Sequence, residues 1–190
     1  MTVDVETSPE NRIRLSPWLR WGLLALIQLG LIAIPLADRL SVQSSGNVVR
    51  LAVVPVDPRD LLRGDYVIIN LAITRLPAGL QGADGFNAGD RIFVELAPQV
   101  DGAAEPVAVA RDRSKLGTLA IAGTVRSATA EEIRVDYGID AFFLPEGEGL
   151  EIERMDRDRL LLEVSVTEDG RSLPVNLLVD GKTFRSDAIF

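Results

Sequence analysis

The chain has 190 residues, 47% hydrophobic and 25% charged, with a formal net charge of −8. This composition suits a folded chain and is too apolar for disorder, and the acidic excess repels phosphate backbones, which argues against nucleic acid as a partner. Cysteine and histidine are both absent, which removes disulfides, thiol nucleophiles, Cys/His zinc sites and the imidazole general base.

Residues 1–20 read as a cytoplasmic tail. Between Arg20 and Asp38 no charge occurs for 17 residues, WGLLALIQLGLIAIPLA. At about 1.5 Å per residue this run spans roughly 26 Å, the short end of a membrane crossing. Trp18 and Trp21 stand at its first boundary, where indoles favour the interface, and Arg20 can snorkel outward. Residues 21–40 are therefore expected to form a transmembrane helix, with Pro35 tolerated because it lies near the end of the run. A cleaved signal peptide is the first rival. Its charged leader would be long, and a cut after Ala37 would put Pro35 at the −3 position. A buried core helix is the second, but a run apolar on every face needs lipid or a large protein around it. Arg12, Arg14 and Arg20 precede the run, while Arg39 and Arg50 follow it. That bias places the N-terminus in the cytoplasm and the rest of the chain outside.

After residue 40 there are 24 acidic residues against 16 basic ones, so the acidic excess belongs to this part of the chain. Residues 41–47 (SVQSSGN) are small and polar, and read as a linker. Residues 48–190 are long enough for one domain with its own core. Strand character appears at Val48–Val56 and at Tyr66–Thr74, where Val67, Ile69, Leu71 and Ile73 share a face. It recurs at Arg91–Ala97, with Ile92, Val94 and Leu96 aligned, and at Thr118–Val125. Glu132–Tyr137 alternates, with Ile133, Val135 and Tyr137 inward and Glu132, Arg134 and Asp136 outward. Leu160–Val166 and Leu173–Val179 repeat the pattern around a turn at Glu168-Asp169-Gly170. One short helix is expected at Gly149–Arg157, with acids early and Arg154 and Arg157 late. The expected fold is mainly β: one N-terminal transmembrane helix, then an antiparallel β sandwich or partly open barrel with one short helix.

Residues 55–66 read PVDPRDLLRGDY. Asp57, Arg59, Asp60, Arg63 and Asp65 surround Leu61 and Leu62 and lead straight into an apolar strand. Asp57-Pro58 favours a turn, because the Asp side chain bonds the backbone onward and Pro58 fixes φ. Gly64 can supply positive φ before the strand. Alternating acids and arginines allow paired contacts that hold the loop's shape.

At these residues the chain resembles a family of membrane-anchored bacterial proteins named for its GDYXXLXY motif. The motif here is Gly64-Asp65-Tyr66-Val67-Ile68-Ile69-Asn70-Leu71, with Ile69 in the Leu place and Leu71 in the final Tyr place. The stretch Val135-Asp136-Tyr137-Gly138-Ile139-Asp140-Ala141-Phe142-Phe143-Leu144-Pro145-Glu146-Gly147 also resembles that family. So does the plan of one N-terminal span and one domain. The resemblance implies a protein of the bacterial inner membrane that works beside a multi-spanning membrane protein. It supplies no catalytic residues and no cofactor.

Each singled-out group has a bland reading beside the functional one. The charged loop is read first as an ion-paired device for strand entry and second as a binding site. Arg63-Gly64-Asp65 spells an adhesion tripeptide, but it runs into an apolar strand. Asp140, Glu146, Glu148, Glu151 and Glu153 could ligate calcium, yet their spacing is not that of an EF-hand. Tyr137, Phe142 and Phe143 read as core, with alternate members able to line a groove. Ser114-Lys115 offers the one nucleophile pair available without histidine, but neighbours on a strand point to opposite faces.

The expected function is that of a non-enzymatic, membrane-anchored accessory protein with a partner-binding domain. The rivals are a hydrolase using carboxylates or Ser/Lys and a small-ligand sensor. The expected motif and binding residues are Asp57, Pro58, Arg59, Asp60, Arg63, Gly64, Asp65, Tyr66, Tyr137, Gly138, Phe143, Pro145, Glu146 and Gly147. If the charged loop is an ion-paired network, Arg63→Ala and Asp65→Ala should each destabilise the domain by about 3 kcal/mol. Gly64→Val should also lower the melting temperature. Unchanged melts with lost partner capture would make the loop a binding site instead.

Overall fold

The computed structural model describes residues 16–55, 66–100, 102–139, 141–143, 155–156 and 159–186. The chain divides into two units, residues 1–38 and 39–190.

Helix α1 runs from Pro17 to Ser45. Its start is written in the sequence: Ser16 accepts the Leu19 amide on its hydroxyl at 3.3 Å, and Pro17 occupies the first helical position, where its missing N–H costs nothing. The helix is longer than the uncharged run and reaches about 43 Å at 1.5 Å per residue. Pro35 consequently lies inside it, with ten residues to follow. Among the described residues of the first unit the large apolar side chains are exposed, with Trp18 at 87% and Leu26 at 71%. The 28 residues Pro17–Ser44 are long and apolar enough to cross a membrane, and none of the apolar window is buried. A core helix would bury its apolar faces, and this window buries none of them.

The linker expected at residues 41–47 is not a separate segment. Residues 41–45 are the last helical turn, and β1 (Asn47–Pro55) starts after a single intervening residue. The turn is held inside the second unit. Val42 is 5% exposed and Ser165 only 1%. The Ser165 hydroxyl donates to the Val42 carbonyl at 2.6 Å, and the Gly46 amide donates to the same oxygen at 3.2 Å. A carbonyl near the helix end, which polar composition alone would assign to water, is thus satisfied by a buried side chain.

The second unit is two antiparallel sheets. After β1 come β2 (Tyr66–Leu71), β3 (Arg75–Pro77), β4 (Arg91–Ala97), β5 (Glu105–Ala110), β6 (Ala120–Ala128) and β7 (Glu132–Asp136). The last four are β8 (Ala141–Phe143), β9 (Leu160–Val166), β10 (Ser172–Val179) and β11 (Lys182–Ser186). One sheet has the order β11-β10-β9-β1-β2-β8, the other β3-β7-β6-β4-β5. Both keep open edges, so the domain is not a closed barrel. The sheets share one apolar core. Leu51, Leu162 and Leu177 come to it from the first, and Ile92, Ile121 and Ile133 from the second. The expected inward residues Ile92, Val94, Leu96, Ile133, Val135 and Tyr137 are all buried.

The strand expected to run through Thr74 instead ends at Leu71, and a 3-10 turn over Ala72–Thr74 turns the chain into β3. The Thr74 hydroxyl closes that turn by donating to the Leu71 carbonyl at 2.7 Å. Between β10 and β11 the chain reverses through Asp180-Gly181, both with positive φ, at 51° and 74°. That is a hairpin turn of the primed kind, for which Asp-Gly is a preferred pair. The short helix expected at Gly149–Arg157 lies outside the described residues, apart from Met155 and Asp156.

Gly46 is the position where this fold leaves least room. A Cβ there would stand 1.9 Å from the Ser165 hydroxyl oxygen, 2.8 Å from the Val42 carbonyl oxygen and 3.0 Å from the Val166 amide. Gly46→Ala should therefore displace the helical turn from β9 and destabilise the domain by on the order of 2 kcal/mol. Thermal melts of the full chain in detergent read this directly, and an unchanged melting temperature would show that the turn is not seated on β9.

Candidate functional site

The two family-like stretches of the sequence meet in space. β2 carries the end of the GDYXXLXY segment and β8 lies in the second stretch. They pair antiparallel, with Tyr66 opposite Phe143, Val67 opposite Phe142 and Ile68 opposite Ala141. On its other side β2 pairs with β1, with Leu71 opposite Val53 and Asn70 opposite Val54. A second tie lies just beyond. Tyr137 is 9% exposed, and its hydroxyl donates to the Ile73 carbonyl at 2.9 Å. Burial holds that phenol far above its ordinary pKa, so it stays protonated and remains a donor.

Beside this junction is an open cleft of about 320 Å³. Asn70, Leu71, Thr74 and Arg75 line it from the first stretch and its turn. Val135, Asp136, Tyr137 and Ile139 line it from the second. Arg126 of β6 and Arg134 of β7 complete the wall.

The guanidinium groups are placed by local backbone features. The β6–β7 register shifts between Val125 and Ser127, which makes Arg126 the extra residue of a β-bulge. Bulges re-aim a side chain in this way. Arg126 donates to Asp136 Oδ2 from Nε at 3.1 Å and from Nη2 at 2.7 Å. The other carboxylate oxygen of Asp136 accepts the Gly138 amide at 2.9 Å. Gly138 has φ of 69°, a backbone state costly for other residues. Arg134 donates from Nε to Glu132 Oε1 at 2.6 Å, along the outward face of β7. Arg75 stands directly opposite Arg134 across the β3–β7 pair.

The Gly138 amide, together with the Arg126 guanidinium, holds the Asp136 carboxyl below its ordinary pKa. At neutral pH the carboxylate is thus ionised and fixed in place.

Of the expected motif and binding residues, Tyr66, Tyr137, Gly138 and Phe143 are described. Tyr66 and Phe143 are strand partners through their backbones, and Tyr137 lines the cleft. Asp57, Pro58, Arg59, Asp60, Arg63, Gly64 and Asp65 lie outside the described residues, as do Pro145, Glu146 and Gly147. The acidic residues Asp140, Glu146, Glu148, Glu151 and Glu153 lie outside them too. Sequence reasoning did not place Asn70, Thr74, Arg75, Arg126 or Arg134 in a site. Arg134 and Asp136 were legible as an outward face, but nothing in the sequence announces that Arg75 and Arg126 join them.

Ser114-Lys115 is not on a strand, as the sequence reading had it. It sits in a 3-10 turn over Arg113–Lys115. The Ser114 hydroxyl donates to Asp112 Oδ1 at 2.9 Å, and its amide donates to the same oxygen at 3.0 Å. The Asp112 side chain caps the turn and holds the Ser114 hydroxyl.

Fold and site together define a two-sheet antiparallel β domain preceded by a helix of membrane-spanning length, with an arginine-lined cleft at the junction of two motif segments. The chain belongs to the GDYXXLXY protein family, whose model matches residues 28–177. No curated protein and no solved structure gives a significant match.

A carboxyl whose pKa is lower in the folded than in the unfolded chain contributes stability that is complete above the unfolded value and is lost as pH falls through the folded one. For Asp136 the loss begins as pH passes its ordinary value of 3.8 and continues below it. Asp136→Asn should lower the melting temperature at pH 7 and make its decline between pH 5 and pH 3, a window chosen around that value, shallower than in the native chain. Melts across that range test this. A parallel decline in both proteins would remove Asp136 from the acid response.

Proposed function

We propose that this chain is a non-enzymatic accessory protein, anchored by α1 in the bacterial inner membrane with its N-terminus in the cytoplasm. Its β domain works on the outer side, where it binds a multi-spanning membrane protein. The observation that carries this reading is the convergence of the two motif segments, far apart in sequence, on adjacent strands beside an open cleft. A shared surface of that kind suits recognition. The cleft's polar groups are Arg126 and Arg134, each tied to a carboxylate, Arg75, the Asn70 amide, the Thr74 hydroxyl and a buried phenol. None is a nucleophile held against a base. The acidic balance of the part after residue 40 supports a protein or small-molecule partner over nucleic acid.

The helix supports the anchor by its length and its exposed apolar sides. The arginine bias before the apolar run supports the orientation.

Three measurements on the protein in its native membrane test the proposal. After an alkaline carbonate wash the chain should remain in the membrane fraction. Protease added to spheroplasts should digest the β domain while the inner leaflet stays sealed. Extraction in mild detergent should bring down the same multi-spanning protein in repeated preparations. Release of a soluble fragment beginning near Asp38, a protected domain or the lack of a reproducible companion would each overturn the corresponding part of the reading.

A further inference from the structure

The Arg75–Arg134 pair is an oddity in energetic terms. Residues directly opposite in an antiparallel pair have Cβ atoms about 5 Å apart, and like charges so placed destabilise the sheet. Arg75 opposes Arg134 in this register. Arg126 faces the same cleft from the next strand. This concentration of positive charge lies in a chain of net charge −8. Two carboxylates relieve it only in part. Asp136 is taken by Arg126, and Glu132 by the Nε of Arg134. Arg75 has no ion pair among the described residues.

Among the described residues that line the cleft, the charged groups left without a partner are all guanidinium nitrogens. The Thr74 hydroxyl donates to the Leu71 carbonyl, and the Tyr137 hydroxyl to the Ile73 carbonyl. The Asp136 and Glu132 carboxylates already accept from arginines. Among the described residues, the whole guanidinium of Arg75, the terminal nitrogens of Arg134 and one terminal nitrogen of Arg126 are left without a partner, and beside them stands the exposed side-chain amide of Asn70. A ligand that completes this set has to bring acceptors and negative charge. Planar guanidinium forks match the paired oxygens of a carboxylate or a phosphate. A cleft of about 320 Å³ has room for a small molecule or a headgroup, not for a folded segment.

We infer that the cleft between β2, β3, β6 and β7 is a binding site for an oxyanion, a carboxylate or phosphate group seated between Arg75 and Arg134. Arg126, clamped by Asp136, forms the fixed third wall. Asn70 offers its amide from the motif strand, which ties the site to the GDYXXLXY segment. The two opposed arginines are a standing cost of the empty cleft and become an attractive pair once an anion lies between them. The inference does not depend on the identity of a protein partner or on the topology of the anchor.

The test uses the full chain in a non-ionic detergent, with inorganic phosphate and citrate as soluble probes. Sodium chloride at matched ionic strength is the control. Either probe should raise the melting temperature saturably by a few degrees, and calorimetry should give a stoichiometry near one. Arg75→Gln and Arg134→Gln should each reduce the affinity at least tenfold. Without ligand the Arg75→Gln protein should melt no lower than the native chain, because a repulsion has been removed. A second arm places the chain in nanodiscs of phosphatidylcholine with or without phosphatidylglycerol. Stabilisation that appears only with phosphatidylglycerol, and is lost in Arg75→Gln, assigns the oxyanion to a lipid headgroup. Stabilisation by the soluble probes assigns it to a free solute. Equal responses to phosphate and chloride, equal responses in native and variant proteins, or no response in either arm would overturn the site. So would an Arg75→Gln protein markedly less stable than the native chain without ligand, since Arg75 would then be a structural residue.

Discussion

β1 is the strand on which the rest of the domain depends. Nine residues carry two partnerships. Asn47–Ala52 pair with β9, and Val53–Pro55 pair with β2. The same strand sends Val49, Leu51 and Val53 into the core, all at most 3% exposed. It also takes over the chain from α1 within one residue. Two strands can share one nine-residue neighbour only if its register is unambiguous. Burial of alternate residues supplies that, because a one-residue slip would turn Leu51 and Val53 to the surface. Without β1 the motif strand β2 would have no attachment to β9 and β10.

The cleft follows from that arrangement. β2 ends at Leu71 because the Ala72–Thr74 turn diverts the chain toward the second sheet. The diversion leaves Asn70 and Leu71 at the margin of one sheet and Arg75 on the edge strand of the other. Tyr137 stitches the two together by its bond to the Ile73 carbonyl. A buried phenol with a single donor is an economical tie here, because the carbonyl it satisfies would otherwise be left unpaired near the core. The ion pairs around the cleft are partly exposed, so each contributes little to stability. Their effect is geometric: they hold guanidinium groups in place on a wall that repels itself.

The elements that escaped sequence reading did so for identifiable reasons. β3 has three residues, too few for a period-2 pattern to register. β5 begins Glu105-Pro106, and proline demotes a strand to an edge, which is where β5 lies. β11, Lys182–Ser186, is polar apart from Phe184, so its strand state rests on the Asp180-Gly181 turn and on β10. The helix outran its uncharged stretch because Asp38 and Arg39 do not stop a helix, and Gly46 was the first residue suited to end it.

Local pattern determined the long strands, their inward faces, the helix of spanning length and the two stretches that mark the family. Each of these depends on residues within one turn or one strand, so hydrophobic period and turn chemistry are enough to specify it. The neighbours of each strand were decided only by tertiary structure. It alone brought Tyr66 opposite Phe143, set Arg75 against Arg134 and hung Arg126 on a bulge. Pairing between strands distant in sequence is chosen by how the whole apolar core closes. The wall of a cleft is made of residues that such closure happens to leave side by side.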